Sequence, residues 1–466
     1  MHINDDVPPP PASTDSVAWW RELNGYQWFV FLVATLGWLF DTMDQQLFNL
    51  ARRPAVVELL GATPGDPATA SDVGWYSGVT TSIFMIGWAT GGIFFGILGD
   101  KLGRAKTMML TILTYSAFTG LSALSRDVWE FAGYRFLTGL GVGGQFAVGV
   151  SLVAEVMSDR ARPHALGWLQ ALSAVGNMSA AVIGMGMGAA EQSGAVGSAW
   201  RAMFLVGLLP SLLVIPIFFR LKEPERWKAA ARKEEEGDGA GAKKLGSVTE
   251  LFTDPRWRRN TIVGMVLAFS GVVGLWGIGV FSNDLSQSVL RKHFVAQGLS
   301  EQEISGKITF WAGMTLLMFN FGAFFGIHGY AKLAERMGRR PAFAISFIAA
   351  AVSTSLSFWL LDEFWQIFVF VPIMGFCQLA LFGGYAIYFP ELFPTRLRST
   401  GISFCYNVGR FVAASGPFVL GYLTSSVFAD KPEPMRYAGV AMCAVFALGL
   451  MILPFAPETK GQPLPE

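Results

Sequence analysis

Apolar residues run through the chain in long stretches broken by short polar ones. A helix that crosses a bilayer needs about 20 mostly apolar residues. Stretches that satisfy this lie near 28–50, 75–98, 105–125, 128–153, 163–190 and 200–220. A second set lies near 259–283, 308–330, 341–361, 364–390, 399–425 and 436–457. The pattern predicts an all-α membrane protein with twelve transmembrane helices. Between the two sets, the stretch from Ala229 to Glu236 is rich in charge and a glycine-rich patch follows it, so 221–258 reads as a soluble linker with room for a short interfacial helix. The expected organisation is a tail at 1–27, a six-helix bundle at 28–220, the linker, a second bundle at 259–457 and a short tail at 458–466.

Composition supports lipid as the solvent. The chain is 52% hydrophobic and 15% charged, against about 25% charged in soluble domains. No basic–aromatic stripe is present, which excludes a nucleic-acid partner. The three cysteines, Cys377, Cys405 and Cys443, sit in apolar segments without paired spacing, so they read as packing residues and neither a disulfide framework nor a metal site is expected. Residues 1–27, with Pro8 to Pro11, lack the form of a signal peptide and read as a mobile tail. The larger share of the 35 basic residues falls on the side that holds both termini and the linker. By the positive-inside rule both termini are cytoplasmic, as in a multi-pass protein of a cell membrane such as the bacterial inner membrane.

An internal repeat is also legible. Asp100-Lys101-Leu102-Gly103-Arg104 ends the second span, and Glu335-Arg336-Met337-Gly338-Arg339 ends the eighth, an offset of 235 residues. Gly87 and Gly91 recur as Gly322 and Gly326 at that offset. Glu155 and Arg162 recur as Glu391 and Arg398, and Gly139 as Gly375, at 236; Pro224-Glu225 recurs as Pro457-Glu458 at 233. Chance does not supply such a series in order, so the expected architecture is two parallel six-helix repeats flanking a central pathway, the plan of major facilitator transporters.

The same residues carry a family resemblance. The segment from Gly99 to Lys106 resembles the loop signature of the major facilitator superfamily, and Arg135 to Gly144 resembles its fourth-helix signature. Glu155 to Arg162, Pro390 to Arg398 and Pro457-Glu458-Thr459-Lys460-Gly461 resemble the sugar-porter and organic-ion-porter branches. Phe40-Asp41-Thr42-Met43-Asp44 and Asn407-Val408-Gly409-Arg410 resemble bacterial aromatic-acid and nicotinate proton symporters, which place an acidic pair in helix 1 and an arginine in helix 11. Where sugar porters carry a glutamine-rich stretch in helix 7, this chain reads Ala268 to Trp276, although Gln170 keeps a sugar-porter spacing from Arg162.

Charges inside spans cost about 2.5–3.5 kcal/mol on insertion scales, so each needs a cavity or a partner. Asp41 and Asp44 share a helical face. Close carboxylates in a dry site favour a bound proton on one of them, which suits proton coupling, unless one merely pairs with a neighbouring cation or caps a helix break. Arg135, a permanent cation, either couples to those acids or forms a structural pair with Glu155 or a helix 1 acid. Arg410 has no acid nearby in sequence, so it either clamps a substrate carboxylate or snorkels to the interface. Gln170, Trp276, Asn320, Tyr385 and Tyr406 are further candidate substrate contacts, with Trp38, Trp88 and Tyr388 as other aromatic possibilities. Asp100, Arg104, Glu155, Arg162, Glu335, Arg339, Glu391 and Arg398 lie at cytoplasmic helix ends, and salt bridges among them would form a gate. Gly87, Gly91 and Gly139 to Gly144 read as close-packing positions.

The function expected is proton-coupled symport of a small organic, aromatic carboxylate by alternating access. Sugar–proton symport is the second transporter reading, and a non-transporting sensor with the same fold is the alternative of another class. Four scattered histidines and no nucleophile–base set argue against an enzyme. No cofactor or metal is implied, and a monomer in the bilayer with protons and a small molecule as partners is expected.

Overall fold

In the computed structural model, residues 18–62, 67–236, 244–413, 419–420 and 422–466 are described. Pro8 to Pro11 and the glycine-rich patch after Glu236 lie outside them. The twelve spans are helical: α1 Gly25–Leu59, α2 Pro67–Lys101, α3 Arg104–Ser122, α4 Val128–Val156, α5 Ala161–Gln192 and α6 Ala199–Arg220, then α7 (255–296), α8 Glu301–Met337, α9 Arg339–Leu360, α10 Phe364–Leu392, α11 from Arg398–Ala413, and α12 Pro434–Phe455. Two short helices, Glu225–Glu236 and Val248–Thr253, bridge the halves. Helix α7 contains a π turn at Val273–Ile278.

Nine spans are long and apolar enough to cross a membrane on those grounds alone. Helices α1 and α3 are not among them. Asp41, Asp44 and Gln45 in α1 and a run of threonines in α3 lower their hydropathy, and most of these side chains, like Asn407 and Arg410 of α11, are buried within the protein. Polar groups in a membrane protein are tolerated where they face the interior of the bundle.

The repeat holds at the level of single atoms. A Cβ on Gly87 or Gly91 would strike the Phe136 or Leu140 carbonyl of α4, and one on Gly322 or Gly326 would strike the Pro372 or Phe376 carbonyl of α10. Gly139 returns the contact to Phe84, and Gly375 to Phe319. These small residues let α2 lie against α4 and α8 against α10 at backbone distance. Gly103 and Gly338 both take positive φ, 109° and 96°, at the sharp turns that open α3 and α9. The amide N–H groups exposed there are capped by a carboxylate from after the last helix of the same half: Glu223 accepts from Ala105 and Lys106 (both 3.1 Å), and Glu458 from Arg339 (2.8 Å) and Arg340 (3.0 Å). This corrects the expected pairing of Glu225 with Glu458. Glu225 pairs with Lys228 instead, and Glu223 is the true counterpart, at the same offset as the glycines.

The halves meet along two seams, α2 with α11 and α5 with α8. In the first, Gly92, Gly96 and Gly99 admit Asn407, Ser403 and Ser399. In the second, Gly167 lies against Ala331, and Asn177 donates to Asn320 at 2.9 Å.

Candidate transport site and gate

At the end that carries both termini, the first seam is locked by buried charge. Glu155 Oε1 accepts from Arg104 of its own half (2.9 Å) and from Arg398 of the other (2.7 Å), with all three side chains sealed from solvent. Asp100 pairs with Arg104 at 2.9 Å and caps the start of α11, accepting from the Ser399 and Thr400 amides (3.1 and 2.8 Å) and the Thr400 hydroxyl (2.6 Å). Arg104 also donates to the Thr395 carbonyl at 2.6 Å. Two arginines and two carboxylates make a cluster of zero formal charge, which is how a buried group of this size becomes tolerable.

The second seam uses the same positions differently. Arg339 makes a two-pronged contact with Glu391 (2.7 and 3.0 Å), and Thr459 donates to the same carboxylate, all within one half. Arg162 donates to the Ala154 carbonyl, just as Arg398 does to that of Pro390, but its ion pair is with the nearby Asp159, and Glu391 of the other half acts on it only at longer range. Among the described residues, Glu335 reaches the other half only through His164, at 3.5 Å and largely in solvent. The charges expected from symmetry to form a gate are therefore tight and dry at one seam and loose and wet at the other.

Deeper in the protein, Asp41 faces Arg410 of the other half, while Asp44 and Arg135 lie within the first bundle. Asp41 is fully buried and holds the Gln45 amide at 3.0 Å, with its second oxygen unpartnered. Asp44 is fully buried beside Arg135, whose nearest nitrogen is 3.9 Å away. Arg135 bonds Ser122 and Thr138 (2.8 and 2.9 Å) and lies over the Phe204 ring, while Glu155 is held by Arg104 and Arg398. Arg410 does not snorkel. Its guanidinium lies between the Trp88 and Tyr406 rings, 4.1 Å from each centroid, donates to Asn407 at 2.6 Å, and keeps a buried Nε–H with no acceptor. The Asp41 carboxylate is within electrostatic reach of it.

Aromatic rings continue the wall on both sides. Trp88 meets Trp276 edge to face at 5.7 Å, Tyr406 stacks on Phe146 at 4.4 Å, and Phe146 meets Trp38 at 5.0 Å. The indole N–H of Trp38 and the Gln170 carbonyl oxygen are buried without partners. Asn320 is committed across the second seam to Asn177. Tyr385 and Tyr388 are structural: their hydroxyls donate to the Leu267 and Pro457 carbonyls at 2.6 and 2.7 Å. Asn177 and Phe146 were not among the residues the sequence singled out. Asn177 could have been found, since it lies about two turns from Gln170 on one face of α5; Phe146, an aromatic in an apolar helix, carried no such signal.

Residues 45–253 match the family model for sugar and other transporters, and residues 294–466 match that of the Major Facilitator Superfamily. The chain belongs to the major facilitator superfamily. This transporter, a multi-pass membrane protein and not an enzyme, is 28% identical over 445 residues to a probable 4-methylmuconolactone transporter of Cupriavidus pinatubonensis, covering 95% of this chain and 94% of that protein. It is 27% identical to the cis,cis-muconate transport protein of Acinetobacter baylyi (86% and 89% covered) and 24% identical to the niacin transporter NiaP of the same organism (94% and 96%). Among solved structures, the proton:xylose symporter XylE superposes with a TM-score of 0.71 at 17% identity, covering 94% of this chain and 98% of that one. That likeness is one of fold.

Proposed function

We propose that this transporter carries a small organic carboxylate, aromatic or muconate-like, together with protons, by rocking its halves about the Asp41–Arg410 region. The observation that carries the reading is Arg410: a buried guanidinium with a free N–H, held between two aromatic faces. A carboxylate supplies the acceptor this group lacks, and a flat conjugated body fits against the rings. The relatives named for muconolactone, muconate and niacin support the same class of cargo. Asp41, buried beside this cation, is the group whose protonation state would answer to the cargo's charge; Asp44 and Arg135 form a second coupled pair behind it. The gate residues close the end that bears both termini, which this reading places in the cytoplasm.

The test offers radiolabelled benzoate, nicotinate, cis,cis-muconate or xylose from outside to proteoliposomes with and without an inward proton gradient. Gradient-driven accumulation of an acid and none of xylose is expected. Arg410→Lys should weaken acid binding about ten- to a hundredfold, since an ammonium cannot reproduce the planar fork, while the matching amide should hardly notice it. If the two changes simply add, the arginine does not read the carboxylate, and a sugar, for which the unpaired Gln170 oxygen is a natural partner, becomes the better reading.

A further inference from the structure

Arg52 on α1 has no role in the site described above and, among the described residues, no acid beside it. Arg53, its neighbour, is exposed. Arg52 instead turns inward, half-buried, with its Nη1 donating to the Thr81 hydroxyl of α2 at 2.6 Å and its Nε–H buried without an acceptor. Among the described residues it forms no ion pair. Desolvating a cation without neutralising it costs free energy, so its setting is incomplete as it stands.

Two helices independently place this pair in line with the transport site. Arg52 lies about three turns beyond Asp41, on the same face of α1, and Thr81 lies about two turns before Trp88, on the same face of α2. Helices α1 and α2 run in opposite directions, so both displacements point toward the end opposite the termini. The Arg52–Thr81 pair therefore stands about 10–16 Å outward of Arg410 and Asp41, over the ring that holds Arg410.

We propose that Arg52 and Thr81 form an outer binding station that captures the anionic cargo before it moves to Arg410. The inference rests on the carboxylate reading of Arg410. The cation supplies attraction and a free N–H donor, and Thr81 fixes its direction by holding one amino group. The station is shallow and has a single charge, so it raises the local concentration of anions and releases them inward, where a second cation and aromatic walls bind more firmly.

The test is made on the full-length protein in intact cells, with Cys377, Cys405 and Cys443 replaced by alanine and Thr81→Cys as reporter. Its modification rate is compared for a negatively charged sulfonatoethyl and a positively charged trimethylammonioethyl methanethiosulfonate. Arg52→Gln should lower the anion-to-cation rate ratio roughly three- to tenfold, and Arg52→Lys should preserve it. On the Thr81 protein, Arg52→Gln should raise the KM for benzoate offered from outside by a similar factor with little change in maximal rate, whereas Arg410→Gln should abolish benzoate transport. An unchanged reagent ratio, or an unchanged benzoate KM, overturns the outer station alone. If Arg410→Gln still transports benzoate, the carboxylate reading falls and this proposal with it.

Discussion

Glu155→Gln is the perturbation that weighs most directly on the dry side of the gate. In the wild-type protein one carboxylate oxygen accepts a hydrogen bond from each of two arginines in different halves, at 2.9 and 2.7 Å, in a cluster closed to water. An amide keeps the shape and one acceptor but leaves Arg104 and Arg398 with a single carboxylate, Asp100, which pairs with Arg104. Hydrogen bonds to charged groups are worth about 1.5–3 kcal/mol each. Losing most of one, and weakening the other, removes about 2–3 kcal/mol from the closed arrangement. In the opened arrangement the arginines reach water and lose little. The ratio of open to closed at this end should therefore rise about 30- to 150-fold. The assay is the labelling rate of Ser403→Cys, which lies beneath the cluster on α11 against Gly96, by an impermeant maleimide in inside-out vesicles. Glu391→Gln is the internal control. Its contacts stay within one half, so its effect on labelling should be several-fold smaller. Equal labelling in wild type and Glu155→Gln would refute the gate. Equal acceleration by the two variants would refute the asymmetry between its sides.

Asp41→Asn should abolish accumulation driven by a proton gradient while sparing exchange of labelled for unlabelled substrate, which moves no net proton; undiminished gradient-driven uptake would remove Asp41 from coupling. The Glu458 carboxyl is opposed in its ionisation by burial, but the amides of Arg339, Arg340 and Lys460 and the Arg339 charge outweigh this and hold it below the usual glutamate range. A depressed folded-state value means stability that is present above about pH 4.5 and lost as pH falls through that lower value. Thermal unfolding in detergent should thus show a drop below pH 4.5 that is smaller in Glu458→Gln, and identical pH profiles would exclude this carboxylate as a contributor.

How far the sequence reaches differs between features. Asp41, Asp44, Arg135 and Arg410 could be singled out because a charge within an apolar run is costly wherever the helix ends up, so its presence alone signals a cavity or a partner. Tyr385 could not be sorted from Tyr406 in the same way. Both lie in apolar helices, and only the position of the Leu267 carbonyl, from a distant helix, makes one a strut while the Arg410 guanidinium makes the other part of the site.

The twelve spans, their division into two repeats and the location of the charged helix ends follow from the sequence by itself, because lipid forces every spanning segment to be a long apolar helix that satisfies its own backbone. The tertiary structure alone decided that Glu223, not Glu225, mirrors Glu458, and that Arg398 crosses to the other half while Arg162 stays in its own. Symmetry in sequence spacing fixes which residues stand at equivalent places on each bundle. Which of several nearby acceptors an arginine meets depends on how two bundles, joined by residues far apart in the chain, come to rest against each other, and the seams α2–α11 and α5–α8 do so with different side chains.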